Sequence, residues 1–454
     1  MKSGDRQKTT EREGTKGMQT ARTGSKKQQA VKKKPVKKLL TSLNKVDSRN
    51  KHLWAVQVHI GSGGFGDVYR VIDEKDPERP EYAMKTEIRG AHQRRLNIEK
   101  CILHEVGVYT ASNKKTRHFC ELVDSGLTAE YSWIVMTLIG PSLDSVRRML
   151  NKQFTRNCVI SMALQILEAV EIMHEVGFIH RDLKPGNICT GNPPNDDHLL
   201  YVLDFGISRR IYKSITKKEL RNKRERVPFY GTRKFCNRAC HLEKDQGRKD
   251  DMETYVYTVL DLFHNERGLS WSKDLADTKK IVEKKKALFE NPLRELDPIV
   301  PPGIAKIILY LKDLKFQDSV DYRFIELELR SCRKELTSSD PSDETMDWTG
   351  KLEKLMKEAK NNRKPVTPKG EETLIFENLK ERKRVREMTS AGGGRSANES
   401  SAMRSCTFDG SEGPPPGFMT TGATTAGTTG GTTGPATRTV MKKPLVKKKS
   451  RSRN

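Results

Sequence analysis

Apolar and polar residues alternate in short runs before about residue 140 and recur mainly at helical spacing after it. Asp67-Val68-Tyr69-Arg70-Val71-Ile72 is β-branched and aromatic in rough alternation, which predicts a strand. Tyr82-Ala83-Met84-Lys85 predicts the next strand, and Trp133-Ile134-Val135-Met136-Thr137-Leu138-Ile139-Gly140 a buried one. Between these, Leu96, Ile102, Leu103 and Val106 fall on one helical stripe. Ile160, Leu164, Leu167, Val170 and Met173 follow one helix face and stop at Gly177. Residues 187–191 and 199–203 read as two short strands around the polar turn Asn192-Pro193-Pro194-Asn195-Asp196-Asp197. A short amphipathic helix at Leu352, Leu355, Met356 and Ala359, with Phe376 and Leu379 beyond it, suits either packing on the preceding domain or binding a partner.

Outside this patterned region the chain is basic and polar. Of 454 residues, 85 are Lys or Arg against 59 Asp or Glu, a net charge of +26. Residues 1–50 hold 15 basic against 4 acidic side chains, and residues 389–454 hold 10 against 3. The second flank is rich in Gly, Thr and Pro. Neither buries enough apolar surface to offset its ordering entropy, so both read as disordered arms. Such arms suit acidic protein partners, phosphate backbones, anionic lipid or nuclear import, or serve only as solubilising tails. No stretch approaches the ~20 apolar residues of a membrane span, and no apolar h-region opens the chain. The eight cysteines form no C-x-x-C pair, which excludes a zinc or disulfide framework of that type and fits a reducing compartment, cytoplasmic or nuclear.

The candidate chemistry lies between the arms. Gly61-Ser62-Gly63-Gly64-Phe65-Gly66 contains G-x-G-x-x-G, in which glycines let backbone N–H groups approach phosphate oxygens. A dinucleotide-binding unit would place a helix next, with Glu87 as its acid, but Asp67 opens a strand. A strand, a glycine turn and a strand make a flap over phosphates, as in protein kinases. Lys85 stands 17 residues past Val68, where a kinase keeps the amine for the α and β phosphates. Of the two acids on the following helix, Glu99 falls inside the apolar stripe and Glu105 opposite it. A charge facing inward needs a partner, which selects Glu99.

Ile179-His180-Arg181-Asp182-Leu183-Lys184-Pro185-Gly186-Asn187 then reproduces H-R-D-x-x-x-x-N, and Asp204-Phe205-Gly206 follows 17 residues after Asn187. Asp182 is the candidate to orient the attacking hydroxyl, Asn187 and Asp204 to ligate Mg²⁺, Lys184 to neutralise the transferred phosphoryl group, and Arg181 to pin the activation segment. A pseudokinase would lack one of these residues, and none is missing.

Val135-Met136-Thr137-Leu138-Ile139-Gly140-Pro141-Ser142-Leu143 resembles the hinge of the casein kinase 1 superfamily. So do Gly231-Thr232-Arg233-Lys234-Phe235 and Arg248-Lys249-Asp250-Asp251-Met252-Glu253, which stand where other kinases carry A-P-E. Residues 221–229 resemble the basic insertion of its tau-tubulin kinase branch. The resemblance implies an α+β bilobal kinase at 54–335, with a β-rich N-lobe (54–139) and a helical C-lobe (140–335), followed by an extension at 336–388. It implies ATP held by the flap, by Asp67, Val68, Ile60, Ala83 and Lys85, by gatekeeper Met136, by Ile139 at the hinge, and by Cys189 where the family has leucine. Asp251 would brace the catalytic loop from the start of the helix Met252, Val256, Val259, Leu260, Phe263. Arg233 and Lys234 would face a substrate anion. Lys217, Lys218, Arg221, Lys223, Arg224, Arg226, Arg233 and Lys234 crowd within 18 residues. They point to acidic or pre-phosphorylated Ser/Thr substrates, with a merely solvated basic loop as the alternative. The expected protein is a monomeric MgATP-dependent serine/threonine kinase; the alternatives are a pseudokinase scaffold or a basic-tail anchoring protein.

Overall fold

The computed structural model describes residues 40, 44–63, 66–89, 95–115, 118–151, 153–214, 219–264, 268–336 and 345–361. Gly64, Phe65, Lys217, Lys218, Phe376, Leu379 and most of both basic arms lie outside the described residues.

The N-lobe is an antiparallel sheet of β1 (Lys45–Asp47), β2 (Leu53–Gly63), β3 (Gly66–Asp73), β4 (Glu81–Ile88), β5 (Leu122–Leu127) and β6 (Tyr131–Thr137), in the order β1-β2-β3-β4-β6-β5. Strand alternation gives it two different faces. Trp54, Val56, Tyr69, Val71, Met84, Trp133 and Val135 build a cluster on one side. Ala83, Ile134 and Met136 join the larger core shared with α1 (Arg95–Asn113) and the C-lobe. Register sets Val68 opposite Lys85, and Lys85 opposite Ile134.

β1 is a departure from the sequence reading, which ran the N-terminal arm to residue 50. Val46 is buried, and Leu40 N donates to Tyr69 Oη at 3.0 Å. Lysines at 45 and 51 hid a strand one apolar residue deep.

The C-lobe follows with α2 (Leu143–Leu150), α3 (Arg156–Glu175), β7 (Phe178–Ile179), β8 (Ile188–Thr190), β9 (Leu200–Val202), β10 (Arg209–Arg210), β11 (Tyr212–Ser214), β12 (Glu219–Leu220), α4 (Arg238–His241), α5 (Arg248–Leu262), α6 (Thr278–Glu290), α7 (Pro292–Glu295), α8 (Gly303–Asp313), α9 (Tyr322–Leu336) and α10 (Leu352–Asn361). α3 starts at Thr155, whose side chain accepts from Cys158 N, and its chain turns out at Gly177 with φ +88, a conformation that favours glycine. The helix delivers the chain through β7 into the catalytic loop. β8 and β9 pair as a hairpin, and the next residues reach Asp204. No helix among the described residues is long and apolar enough to cross a membrane.

Residues 345–361 pack on the C-lobe. Trp348 is fully buried, donates Nε1–H to Asp197 O at 2.8 Å and meets Phe154 edge-on. Asp347 accepts from Thr155 N and Oγ1, both at 2.7 Å.

Candidate active site

Lys85 is carried on β4, and α1 presses the apolar stripe containing Glu99 against that strand. Lys85 Nζ lies 2.6 Å from Glu99 Oε2 and 3.1 Å from Asp204 Oδ1. Burial pulls the Lys85 pKa down, but the two carboxylates outweigh it and raise it above its ordinary value. Burial likewise works against the Asp204 anion, and Lys85 overcomes it, so the Asp204 pKa is lowered. The side chain that the stripe argument selected is therefore the one facing the lysine. Asp204 adopts φ +66, a left-handed conformation rare outside glycine, which turns its carboxylate toward Lys85.

Asp251, buried in the first turn of α5, holds the catalytic loop by its backbone. Its Oδ2 accepts from His180 N at 2.5 Å and its Oδ1 from Arg181 N at 2.8 Å, with His174 Nε2 3.1 Å away. Burial opposes the charge, and His174 with these donors reverses it, lowering the Asp251 pKa. Arg181 Nε donates to Ile207 O just past Asp-Phe-Gly, and its guanidinium covers the Tyr230 ring. Burial, then Arg224, lowers its pKa to about 10.

Asp182 sits at the centre of a small network. Its Oδ2 accepts from Lys184 Nζ at 2.9 Å and Asn187 Nδ2 at 3.2 Å, and its Oδ1 from Thr232 Oγ1 at 2.8 Å. Lys184 Nζ also donates to Thr232 Oγ1 at 3.0 Å. The sequence reading gave Thr232 no contact with Asp182. Gly231 makes that contact possible: its φ is +132, and a Cβ there would lie 3.0 Å from Arg181 O. The glycine lets the segment come close enough for the threonine to reach Asp182. With Nδ2 of Asn187 turned to Asp182 and Oδ1 of Asp204 to Lys85, the remaining oxygens of Asn187 and Asp204 are hard donors of the kind Mg²⁺ takes together with phosphate and water. Among the described residues no cluster of three or more His, Cys, Asp or Glu offers an all-protein metal cage.

Ala83 and Met136 belong to the large apolar core, Val68 and Ile139 pack against it, and Gly140 N donates to Thr190 O at 2.8 Å where the lobes join. Cys189 is buried beneath, and burial pushes its thiol up to about 12, which leaves it an inert filler. Ile60 is 43% exposed and forms no part of that core. In the flap, Ser62 pairs with Asp67 and Gly63 with Gly66, and Ser62 Oγ donates to Asp67 Oδ1 at 2.7 Å. The glycines differ in cause. A Cβ on Gly66 would sit 1.7 Å from Thr86 O, whereas one on Gly61 would meet nothing within 4 Å. Packing alone requires the first and leaves the second for close approach of a ligand.

Lys234 and Arg233, expected to face a substrate anion, each have a partner within the chain. Lys234 Nζ pairs with Asp261 Oδ1 at 2.8 Å, and Arg233 Nη1 donates to Leu275 O at 3.2 Å. Asp261, buried on α5, is compensated by Lys234 and by Arg147, whose Nη2 lies 3.2 Å from its Oδ2, pairings across 27 and more positions that the sequence cannot assign.

Residues 54–306 match the protein kinase domain family. The chain is similar to a Dictyostelium discoideum protein named as a probable serine/threonine-protein kinase, at 28% identity over 299 residues, 66% of this chain and 57% of that protein. Two Caenorhabditis elegans proteins, each named as a putative serine/threonine-protein kinase, are 30% identical to it. One matches over 315 residues, 66% of this chain and 75% of its own length, and the other over 298 residues, 62% and 84%. The chain thus spans little more than half of the Dictyostelium relative. With its two lobes, its paired Lys85 and Glu99 and its His-Arg-Asp and Asp-Phe-Gly loops meeting in one cleft, the chain belongs to the protein kinase domain family.

Proposed function

We propose that the protein is a serine/threonine kinase that transfers the γ-phosphoryl group of MgATP to protein hydroxyl groups. The convergence of Lys85, Glu99 and Asp204 with the Asp182, Lys184, Asn187 and Thr232 network carries this reading. In it, backbone N–H groups of the flap cover the phosphates, and Val68, Ala83, Met136 and Ile139 sandwich the adenine. Lys85, held protonated by its two carboxylates, grips the α and β phosphates. Asn187 and Asp204 would hold Mg²⁺, whose charge would offset that of the phosphates. Asp182 accepts a hydrogen bond from the substrate hydroxyl and aims it in line. Lys184, two residues on and fixed by Asp182 and Thr232, meets the charge that develops on the transferred group. That lysine also supports serine or threonine as the acceptor.

The hinge and the Arg248-to-Glu253 segment support a place in the casein kinase 1 superfamily near its tau-tubulin kinase branch. We take residues 44–336 as the folded kinase domain, with 345–361 its docked extension and the basic arms as surfaces for acidic partners. The basic segment after β12 supports acidic or pre-phosphorylated substrates, with Arg221, Lys223, Arg224 and Arg226 in place of Lys234. A reducing compartment, cytoplasm or nucleus, agrees with the free cysteines among the described residues.

The test is a radiolabelled-ATP assay of the full chain on an acidic protein substrate. Wild type incorporates phosphate on Ser or Thr and Asp182→Asn does not; equal rates for the two would refute the reading. Peptides matched except for one acidic or phosphorylated residue test the substrate preference, and equal rates on them would end it.

A further inference from the structure

Strand alternation puts Asp67 and Tyr69 on one face of β3 and Val68 on the other. Val68 packs against the large core that holds Ala83 and Met136, whereas Tyr69 lies in the smaller cluster with Trp54, Val56 and Val71. On the Tyr69 face the flap carries a clasp of side chains. Asp67 stands opposite Ser62, and Tyr69 opposite His59, in the β2–β3 ladder. Ser62 Oγ donates to Asp67 Oδ1 at 2.7 Å and lies 2.9 Å from His59 Nε2, which is 3.4 Å from the same carboxylate oxygen. The His59 and Tyr69 rings meet edge-on, 5.3 Å between centroids.

The other end of the clasp is tied to the N-terminal side of the domain. Tyr69 Oη donates to Asp67 Oδ2 at 3.2 Å and accepts from Leu40 N at 3.0 Å. Leu40 is buried in the same cluster as Tyr69, together with Val46 of β1. A continuous chain of hydrogen bonds therefore runs from the backbone of residue 40 to Ser62, which lies between two glycines of the flap. A fully buried phenol is tolerated where its O–H finds partners, and a phenylalanine would fill the same space without them. This hydroxyl both accepts and donates, so each bond polarises the next. A Cβ on Gly61 would meet nothing within 4 Å, so packing does not fix the flap there and the bond from Ser62 to Asp67 takes that role.

We propose that Tyr69 is a positioning residue for the nucleotide: seated by Leu40, it orients Asp67 so that Ser62 is clasped and the flap backbone is ordered before ATP enters. The inference rests on the reading of the flap as the cover of the ATP phosphates. An ordered flap presents its N–H groups without first losing conformational freedom, which lowers the cost of binding. The effect falls on ATP affinity and not on the network around Asp182, which is built from Lys184, Asn187 and Thr232. It also ties ATP affinity to the N-terminal arm, because a partner that drew residue 40 out of its cluster would release Tyr69.

The test uses the full-length protein, first without nucleotide and then with ATP. Hydrogen–deuterium exchange over residues 59–68 reads the order of the empty flap. Tyr69→Phe should speed that exchange and raise the KM for ATP, each about three- to tenfold, with kcat held within about twofold, the scale of one net hydrogen bond. Ser62→Ala, at an exposed position, should do the same, and the double variant should be no worse than the more impaired single one, because both cut one chain. Leu40→Pro deletes the N–H at the head of the chain and should move both readouts in the same direction. Unchanged flap exchange in Tyr69→Phe, a double variant whose losses multiply, a Leu40→Pro protein equal to wild type, or a fall in kcat with KM unchanged would each overturn the proposal. If Tyr69→Phe lowers the melting temperature, the same comparison of Ser62→Ala with Leu40→Pro carries the decision. A wild type whose flap exchange responds as expected but which transfers no phosphate would instead refute the kinase reading.

Discussion

Thr232 offers the sharpest probe of the site, because its hydroxyl touches both Asp182 and Lys184. Thr232→Val keeps the β-branched shape and removes that bridge. A hydrogen bond to a charged group contributes about 1.5–3 kcal/mol. Asp182 retains Lys184 at 2.9 Å and Asn187 at 3.2 Å in the variant, so the lower part of that range applies. At about 1.5–2 kcal/mol, and about 1.4 kcal/mol per factor of ten, kcat should fall roughly 10- to 30-fold. The KM for ATP should hold, since the threonine lies on the acceptor side of Asp182. Steady-state phosphorylation of an acidic protein at saturating ATP reads the loss, and a thermal melt confirms an intact fold. Thr232→Ser restores the hydroxyl and should recover activity to within about threefold. A Val variant within twofold of wild type, or a Ser variant as impaired as Val, would refute the claim that the bridge positions the reacting groups.

The two flap glycines should separate. Gly66→Ala forces a carbon into Thr86 O and should lower both the melting temperature and ATP affinity, while Gly61→Ala should leave the melt unchanged and raise the KM for ATP; unchanged KM would remove the flap from phosphate binding. Trp348→Ala should cost about 3–5 kcal/mol in denaturant unfolding, because a fully buried indole and its bond to Asp197 O are lost together; a loss below about 1 kcal/mol would show that residues 345–361 are not part of the cooperative fold. Asp251 has its pKa lowered in the fold, so its contribution is present above the ordinary value of 3.8 and is lost as pH falls through the folded value. Urea midpoints of wild type should therefore drop steeply on acidification below about pH 4, and Asp251→Asn, less stable at pH 7, should show a shallower acid limb. Parallel limbs would remove Asp251 as a source of acid sensitivity.

Local spacing made much of this protein legible before any coordinates. The catalytic loop and the Asp-Phe-Gly turn are short segments whose backbones bring their own side chains together, so their order and separation already describe a site. Periodicity did the same for Glu99, because an acid inside an apolar helical stripe must meet a buried cation. What the tertiary structure alone decided is which distant groups neutralise each other. Lys234 meets Asp261, Arg209 and Arg224 share Asp245, and Thr232 closes on Asp182 through a glycine that tolerates φ +132. The strand at Lys45–Asp47 and the docked Trp348 likewise escaped a reading by pattern, since each depends on one apolar side chain finding a remote pocket. Charge and hydrophobicity are properties of residues, but a partner is a property of the folded chain.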